Sequence, residues 1–261
     1  LSITGNDEES KFLSLELEKL GIKSSLIVDE MRPTTLKKRY IVNSQKIFRV
    51  SKFEENHINT IIEDQLIQKL ERLAPRSDSI IISDFLYGVI TPKLLESIKS
   101  IVKKFDLQLI GDMQCSSQIG QITKFKDFSL LCPNEREARI AINDKDSGLE
   151  TISQKLIHET RSQKLLMKLG GNGFIFYEKD LNGQICSQYF PAVSGNPLDL
   201  AGAGDSVLAV MALGLSTNQS TLITSSIAAC MAAVSVEQMG NTPIDQKTLQ
   251  EKIVKVFDGN Y

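Results

Sequence analysis

The sequence predicts an α/β fold in which a mostly parallel central sheet is flanked by helices. Strand-like and helix-like segments alternate over most of the 261 residues, which is the pattern of repeated β-α units. The segment Ile80-Ile81-Ile82 is continuously apolar, as expected for a parallel strand covered on both faces. A run with two glycines, Gly202-Ala203-Gly204, precedes a long apolar helix. Together these observations favour a layered α/β domain.

Periodicity and turn residues justify the elements of the first half of the chain. Asn6 or Asp7 is placed to cap a helix whose leucines at 13, 17 and 20 recur at helical spacing, and Gly21 is placed to end it. Two β-prone stretches flank a polar turn at 43–45 and predict a projecting hairpin. The hairpin strands are Arg39–Val42 and Lys46–Val50, and the elements after them are a helix near Asn59–Leu73, a strand at Ser79–Ser83, a helix from Thr91 to Phe105, and strands at Leu107–Gly111 and Ser129–Cys132.

The second half continues with helices, three β stretches and more helices. The β stretches are short and rich in β-branched, aromatic or leucine residues, whereas the helices keep apolar residues three or four positions apart. No internal repeat or linker separates them, so we expect one domain over 1–261 with approximately 30–55 as a small β lid. The predicted elements are helices at Glu135–Ile142 and Gly148–Glu159, β stretches at Lys164–Leu169, Phe174–Tyr177 and Ile185–Phe190, and helices at Ala203–Leu215, Leu222–Gln238 and Gln246–Phe257.

Charge and composition exclude several classes of partner. The formal net charge is −2, and the densest basic cluster, Lys37-Lys38-Arg39, is too short to bind a nucleic acid along its length. No run of about 18 apolar residues predicts a membrane span. The four cysteines, at 115, 132, 186 and 230, form no Cys-x-x-Cys pair. We therefore expect a cytoplasmic protein that binds neither nucleic acid nor membrane.

The sharpest chemical feature is Gly202-Ala203-Gly204-Asp205 at the start of a helix. The glycines allow the backbone to turn tightly, and the amides and dipole of a helix start attract an anion such as phosphate. Asp205 would repel that anion if it served only for binding, so we interpret it as a base that takes a proton from an alcohol. The alternative is that Asp205 only complements the helix dipole.

The whole run from Asp199 to Asp205 resembles the carboxy-terminal signature of the ribokinase (PfkB-type) family, Asp-Thr-x-Gly-Ala-Gly-Asp. Five of its seven positions agree, and Leu200 and Ala201 replace the pair that usually carries the threonine. The resemblance implies a ribokinase-like fold, a nucleotide contact near Asp199, an anion hole formed by the backbone amides at 202–205, and Asp205 as the catalytic base. The replaced pair puts a monovalent-cation contact in question.

Asn134 and Glu137 match the Asn-x-x-Glu element of the same family. In the family this pair organises Mg²⁺ and phosphate, largely through water, and oxygen ligands suit Mg²⁺. Asn before a helix with Glu three residues later is also a capping box, and by itself the pattern favours the cap. Both roles can coexist at one helix start.

Lys168, Gly170, Gly171 and Gly173 form a strand and turn that resemble the family's nucleotide-site segment ending in Gly-x-x-Gly. The resemblance implies that Lys168 and the glycine backbone contact the phosphates or ribose of ATP. An ordinary glycine hairpin is the alternative.

On the sugar side, the stretch from Arg32 to Arg39 resembles the lid of bacterial heptose 7-phosphate kinases. Lys37 and Arg39 would suit a substrate that already carries a phosphate. Asp84 lies in a stretch that resembles the Asp-Tyr-x-x-Gly segment of the same relatives, which implies contacts to sugar hydroxyls. A solvated, charge-protected strand edge and a plain turn are the respective alternatives.

Three positions depart from the pattern of those relatives. The lysine of their Asp-Pro-Lys segment is absent from Asp112-Met113-Gln114. Ser51 stands where an acidic residue is expected, and Ala229 stands where an asparagine is expected. The substrate is therefore expected to differ. Family members also begin with a further strand that carries a sugar-binding aspartate, and the likeness here starts at the following β-α unit, so we expect a preceding segment.

The function expected from these features is ATP-dependent phosphoryl transfer to a hydroxyl of a sugar or sugar phosphate, preferably heptose 7-phosphate-like. Expected cofactors are ATP and Mg²⁺, with a monovalent cation as a further option, and the expected assembly is a homodimer. The alternatives are a kinase for another carbohydrate or a nucleoside, and a non-catalytic nucleotide-binding relative.

Overall fold

The computed structural model describes residues 1–42, 45–114, 122–240 and 242–259. The chain divides into two compact units, and the second contains nearly all of the predicted chemical residues. One unit comprises Leu1–Ser77 and Leu86–Leu107, and the other comprises Asp78–Phe85 and Gln108–Tyr261. Of the predicted turn at 43–45, Asn43 and Ser44 lie outside the described residues, as does Cys115.

The first unit opens on a parallel pair of strands joined by a helix. Strand β1 (Ser2–Thr4) pairs in parallel with β2 (Leu26–Val28), and α1 (Glu8–Lys19) connects them. The Asp7 carboxylate caps α1 by accepting from the Ser10 amide, which confirms the predicted helix start. Strand β2 was not predicted, because three residues are too few to show an alternation of apolar and polar side chains.

A long hairpin and two packed helices complete the first unit. Strands β3 (Leu36–Val42) and β4 (Gln45–Lys52) are antiparallel, as predicted, and extend further than the sequence pattern indicated. Helices α2 (Thr60–Leu73) and α3 (Pro92–Phe105) contact each other through buried leucine and isoleucine side chains. Asn59 and Thr91 cap these two helices with their side chains, which explains where each helix begins.

The second unit is built on a six-stranded sheet with the order β10-β9-β8-β7-β6-β5. Strands β5 to β8 pair with one another in parallel, whereas β9 pairs antiparallel with both β8 and β10. The sheet is therefore mostly parallel, as predicted. Its strands are β5 (Ser79–Asp84), β6 (Gln108–Met113), β7 (Leu130–Leu131), β8 (Lys164–Lys168), β9 (Phe174–Lys179) and β10 (Ile185–Phe190).

Within the described residues, five α-helices belong to this unit and bury both faces of the central strands. They are α4 (Glu135–Ile142), α5 (Leu149–Thr160), α6 (Ala203–Ser216), α7 (Thr221–Val236) and α8 (Gln246–Phe257). Helices α6 and α7 pack on one face through a core that includes Ile110, Leu166 and Met211. Helices α4 and α5 contact β8. The hydrophobic effect of this burial fixes the strand ends that carry the site.

One expectation about β5 is wrong. The run of three isoleucines predicted a strand covered on both faces, but Ile81 is 44% exposed while Ile82 is buried. Within the described chain β5 is the last strand of its sheet, with β6 as its only partner there. The apolar run therefore reflects a strand that is covered on one face only.

Candidate active site

The start of α6 is an open helix end. Gly202 precedes the helix with φ of +85°, a conformation that favours glycine, and no side chain in the described ranges caps this end. The amides of the first helical turn have no acceptor within the helix, and the dipole adds partial positive charge. The predicted run 202–204 thus forms a site suited to an anion such as phosphate.

The loop before α6 is held in place by Asp199. This residue is buried, its Oδ1 accepts from the Ala201 amide at 2.8 Å, and its Oδ2 accepts from the Gly240 amide at 3.3 Å. The carboxylate therefore fixes the backbone that leads into Gly202. Its predicted contact to a nucleotide stays a prediction.

Asp205 lies in the first turn of α6 and is exposed to solvent. The Gln114 Nε2 donates to Asp205 Oδ1 at 2.9 Å, across a gap of 91 residues in sequence. Gln114 continues the line of β6, because its backbone amide donates to the Asp84 carbonyl at 2.9 Å. The predicted base is thus reachable from solvent and is oriented by a side chain at the end of β6.

Lys168 stands at the end of β8 and forms an ion pair with Asp112 at the end of β6. The Nζ lies 2.8 Å from Asp112 Oδ1, Asp112 is fully buried, and its Oδ2 accepts no hydrogen bond within the described chain. A methyl group built on Gly204 would lie 3.4 Å from the Lys168 Nζ. The ammonium is therefore located between a buried carboxylate and the start of α6.

The ionisation of this cluster follows from burial and charge. Burial disfavours the ammonium, but the charge and hydrogen bond of Asp112 outweigh it and raise the pKa of Lys168. Nearby, burial and the Asp112 charge raise the pKa of the Cys132 thiol. Lys168 is therefore cationic at neutral pH, and Cys132 is an uncharged thiol.

Asn134 and Glu137 form the predicted capping box at the start of α4. Asn134 Oδ1 accepts from the Glu137 amide at 2.9 Å, and Glu137 Oε2 accepts from the Asn134 amide at 2.8 Å. Oxygens of this kind have more than one lone pair, so a contact to Mg²⁺ through water is compatible with the cap. No group of three or more His, Cys, Asp or Glu side chains in the described ranges could hold a metal directly.

A cavity of about 660 Å³ brings several predicted residues together. Asn134, Lys168 and Gly170 line it, and the basic side chains of Arg136 and Lys145 lie on its wall. The three predicted residues come from the start of α4, the end of β8 and the turn that follows. Their convergence supports the prediction that they belong to one binding site.

The glycines of that turn differ in what they do. Gly170 has φ of +59° with open space around it, and a side chain at Gly171 would also meet nothing within 4 Å. Gly173 has φ of +86°, and a Cβ there would lie only 2.1 Å from the Phe190 carbonyl oxygen. Packing against the end of β10 therefore requires Gly173 whether or not a ligand contacts it.

We expect Gly173→Ala to lower the free energy of unfolding by at least about 2 kcal/mol, because it adds a backbone clash to an unfavourable positive φ. Urea denaturation measures the change. The matched control is Gly171→Ala, two residues away in open space, which we expect to change stability by less than about 1 kcal/mol. Equal losses in the two variants would contradict this explanation.

The predicted sugar-side residues fall in both units. Asp84, at the end of β5, is buried and lies 2.6 Å from the Lys124 Nζ in an ion pair. Lys37 and Arg39 are on β3 of the first unit, where Lys37 Nζ lies 5.1 Å from the centre of the Tyr87 ring. The contacts of these three residues with a sugar stay predictions.

Sequence analysis missed Lys124 and did not assign roles to Asp112 or Gln114. The segment 112–114 was noted only because it lacks a lysine, although the end of a parallel strand was a signal for a site. Of the other departures, Ala229 is part of the apolar core, and Ser51 pairs with Lys37 across the hairpin. These two positions are explained by packing and strand pairing.

The fold is that of ribokinase-like proteins. The chain is similar to ribokinase from Thermotoga maritima, with a TM-score of 0.75 at 20% identity over 97% of this chain and 80% of that one. It is also similar to phosphofructokinase-2 from Escherichia coli in complex with potassium, with a TM-score of 0.77 at 15% identity over 98% of this chain and 81% of that one. The predicted fold class is confirmed.

The chain belongs to the pfkB family of carbohydrate kinases, whose family model matches residues 1–248. Among characterised relatives it is 30% identical over 244 residues to the bifunctional protein HldE of Helicobacter hepaticus, covering 92% of this chain. That match covers 48% of the relative, so the chain spans about half the length of the curated relatives it matches. The predicted carbohydrate-kinase class is thus confirmed as family membership.

Proposed function

We propose that this chain transfers a phosphoryl group from ATP to a hydroxyl of a sugar or sugar phosphate. The observation that carries the proposal is a solvent-exposed carboxylate, Asp205, in the first turn of a helix whose amino end no side chain caps. An anion site and a base within one helical turn suit attack of an alcohol on a phosphate. Membership of a carbohydrate-kinase family supports the same chemistry.

In the proposed step the acceptor oxygen forms a bond to the terminal phosphorus, and the bond from that phosphorus to the leaving oxygen of ADP breaks. Asp205 accepts the hydroxyl proton as the new bond forms. The amides at 202–205 and the α6 dipole stabilise the negative charge on the transferring group. The proton therefore passes to Asp205, and the departing ADP keeps the electron pair of the broken bond.

The remaining strand-end residues hold the nucleotide in this proposal. Lys168 is cationic at neutral pH, lies next to Gly204 and can orient phosphate oxygens. Asn134 and Glu137 would hold Mg²⁺ through water, and bound Mg²⁺ neutralises phosphate charge. Gly170, Gly171 and the fixed loop at Asp199 would border the nucleotide. Because phosphofructokinase-2 from Escherichia coli has been crystallised in complex with potassium, we include a monovalent cation as a further proposed cofactor.

We propose a phosphorylated sugar, preferably heptose 7-phosphate-like with attack by the anomeric hydroxyl, as the acceptor. Lys37 and Arg39 lie two residues apart on strand β3 and therefore on the same face of the hairpin, and cations in this arrangement suit a substrate that already carries a phosphate. Asp84 is proposed to bind sugar hydroxyls. Another carbohydrate, or a nucleoside, is the second candidate.

The test is release of ADP from Mg²⁺-ATP in the presence of a panel of sugars, sugar phosphates and nucleosides. We expect turnover that depends on the acceptor, with phosphorylated sugars preferred over their unphosphorylated forms. Binding of ATP without turnover on any acceptor would favour a non-catalytic nucleotide-binding relative. A preference for unphosphorylated sugars would contradict the assignment of Lys37 and Arg39.

We also propose a homodimer that forms through the hairpin. Several apolar and aromatic side chains of β3 and β4 are exposed, including the stacked rings of Tyr40 and Phe48. Light scattering coupled to size exclusion at micromolar concentration tests this, and a monomer would contradict it.

None of the helices in the described part of the chain is long and apolar enough to cross a bilayer. The three described cysteines are free, which supports the proposed cytoplasmic location.

A further inference from the structure

Gln114 is the side chain through which β6 contacts the proposed base. Its Nε2 donates to Asp205 Oδ1 at 2.9 Å, and the direction of this bond is fixed because an ionised carboxylate only accepts. The backbone of Gln114 is held in turn by its bond to the Asp84 carbonyl. The backbone from which the amide group reaches Asp205 is therefore held at the end of β6.

We propose that Gln114 is a positioning residue that orients the Asp205 carboxylate and favours its ionised form. This inference rests on the proposed function and deepens it. A hydrogen bond to the charged form of an acid stabilises that form, and holding Oδ1 fixes the orientation of the carboxylate that would meet a substrate hydroxyl. Because Gln114 is neutral, it does so without adding a charge beside the transferring phosphoryl group.

The other charged groups at these strand ends have contacts of their own. Lys168 of β8 is next to Gly204 but is paired with Asp112 of β6. Asp84 of β5 is paired with Lys124. The Asp199 carboxylate, in the loop before α6, accepts from backbone amides. The α6 dipole acts on Asp205 directly and favours the same ionised form.

Three substitutions at one position test the proposal by charge. Gln114→Lys places a cation beside Asp205 and should lower the pKa of its carboxyl, whereas Gln114→Glu places an anion there and should raise it, each by about one unit. Gln114→Met keeps the length of the side chain, removes the donor, and should raise the pKa by less. From lowest to highest, the pKa of Asp205 should therefore follow the order Gln114→Lys, wild type, Gln114→Met, Gln114→Glu.

Two readouts separate this inference from the proposed function. The first is NMR titration of carboxyl-labelled aspartate, in which Asp205→Asn assigns the Asp205 signal, and it needs no activity. The second is the acid limb of the pH dependence of kcat with the best acceptor. If the wild type turns over no acceptor, the proposed function fails, while the NMR order still tests the contact.

The control is Gln108→Glu, which adds the same charge at the other end of β6, about 20 Å from Gln114 at the rise of an extended strand. We expect the control to leave the Asp205 titration and the acid limb unchanged. If the three Gln114 variants lose activity equally and the Asp205 titration does not move, Gln114 serves only the local structure and the proposal is overturned. Movement in the predicted order in both readouts supports it.

Discussion

Asp205→Asn should reduce kcat by between about 10²- and 10⁴-fold, while ATP binding stays close to that of the wild type. Asparagine has nearly the same shape and can still accept from the Gln114 amide, but it cannot take a proton from the substrate. The backbone amides at 202–204 that attract phosphate are unchanged. The loss should therefore appear in turnover, as measured by ADP release, and not in nucleotide affinity, as measured by calorimetry.

The matched control is Asp245→Asn at the start of α8. Asp245 caps that helix by accepting from the Thr248 amide, and asparagine is an equally good cap, so we expect no change in turnover. If Asp205→Asn retains turnover within about tenfold of the wild type, the assignment of the base is wrong. Joint loss of turnover and ATP binding would instead indicate that Asp205 mainly supports the structure.

Asp112→Ala should lower the free energy of unfolding by about 3–5 kcal/mol, because it leaves the mostly buried ammonium of Lys168 without its partner. The double variant Asp112→Leu with Lys168→Met should recover much of that loss, since it removes both charges and leaves apolar groups. Urea denaturation of the single and double variants measures the two effects. A double variant no more stable than the single one would contradict the buried-charge explanation.

The pH dependence of this effect follows from the pKa of Lys168. That pKa is raised above its ordinary value of about 10.4, so the contribution of the pair is complete below that value and is lost only as pH rises through the folded-state pKa. In Asp112→Ala the opposing charge is gone and burial lowers the pKa of Lys168, so the difference between wild type and variant should be largest near neutral pH and shrink as pH rises towards the ordinary lysine pKa. The control is Asp64→Ala, whose ion pair with Lys93 is about half exposed on both sides, so that its loss should change stability little.

The local features of the site could be predicted because neighbouring residues determine them. The capping box at Asn134 and Glu137 and the glycine before α6 need only a few consecutive residues, and both were found where the sequence placed them. Most helix starts were predictable for the same reason, since a capping side chain bonds an amide two or three positions away. The mostly parallel character of the sheet followed from the alternation of strands and helices along the chain.

Contacts between distant segments could not be predicted in this way. Gln114 and Asp205 are 91 residues apart, and Asp112 and Lys168 are 56 apart, so only the order of the strands brings each pair together. The sequence pattern indicated a ligand contact for Lys168, but it gave no sign of the buried partner, Asp112. The role of Gly173 was also ambiguous, because packing against β10 and binding of a nucleotide require the same residue.

The proposed contact between the hairpin and a phosphorylated acceptor predicts that substrate affinity depends on ionic strength. Arg39 and Arg49 lie on an exposed part of β3 and β4, where dissolved ions screen charges over about 8 Å at physiological salt. The Lys168 ion pair is mostly buried and is screened much less. Added potassium chloride should therefore weaken binding of a phosphorylated acceptor more than binding of the nucleotide, so that the ratio of the two Michaelis constants depends on salt.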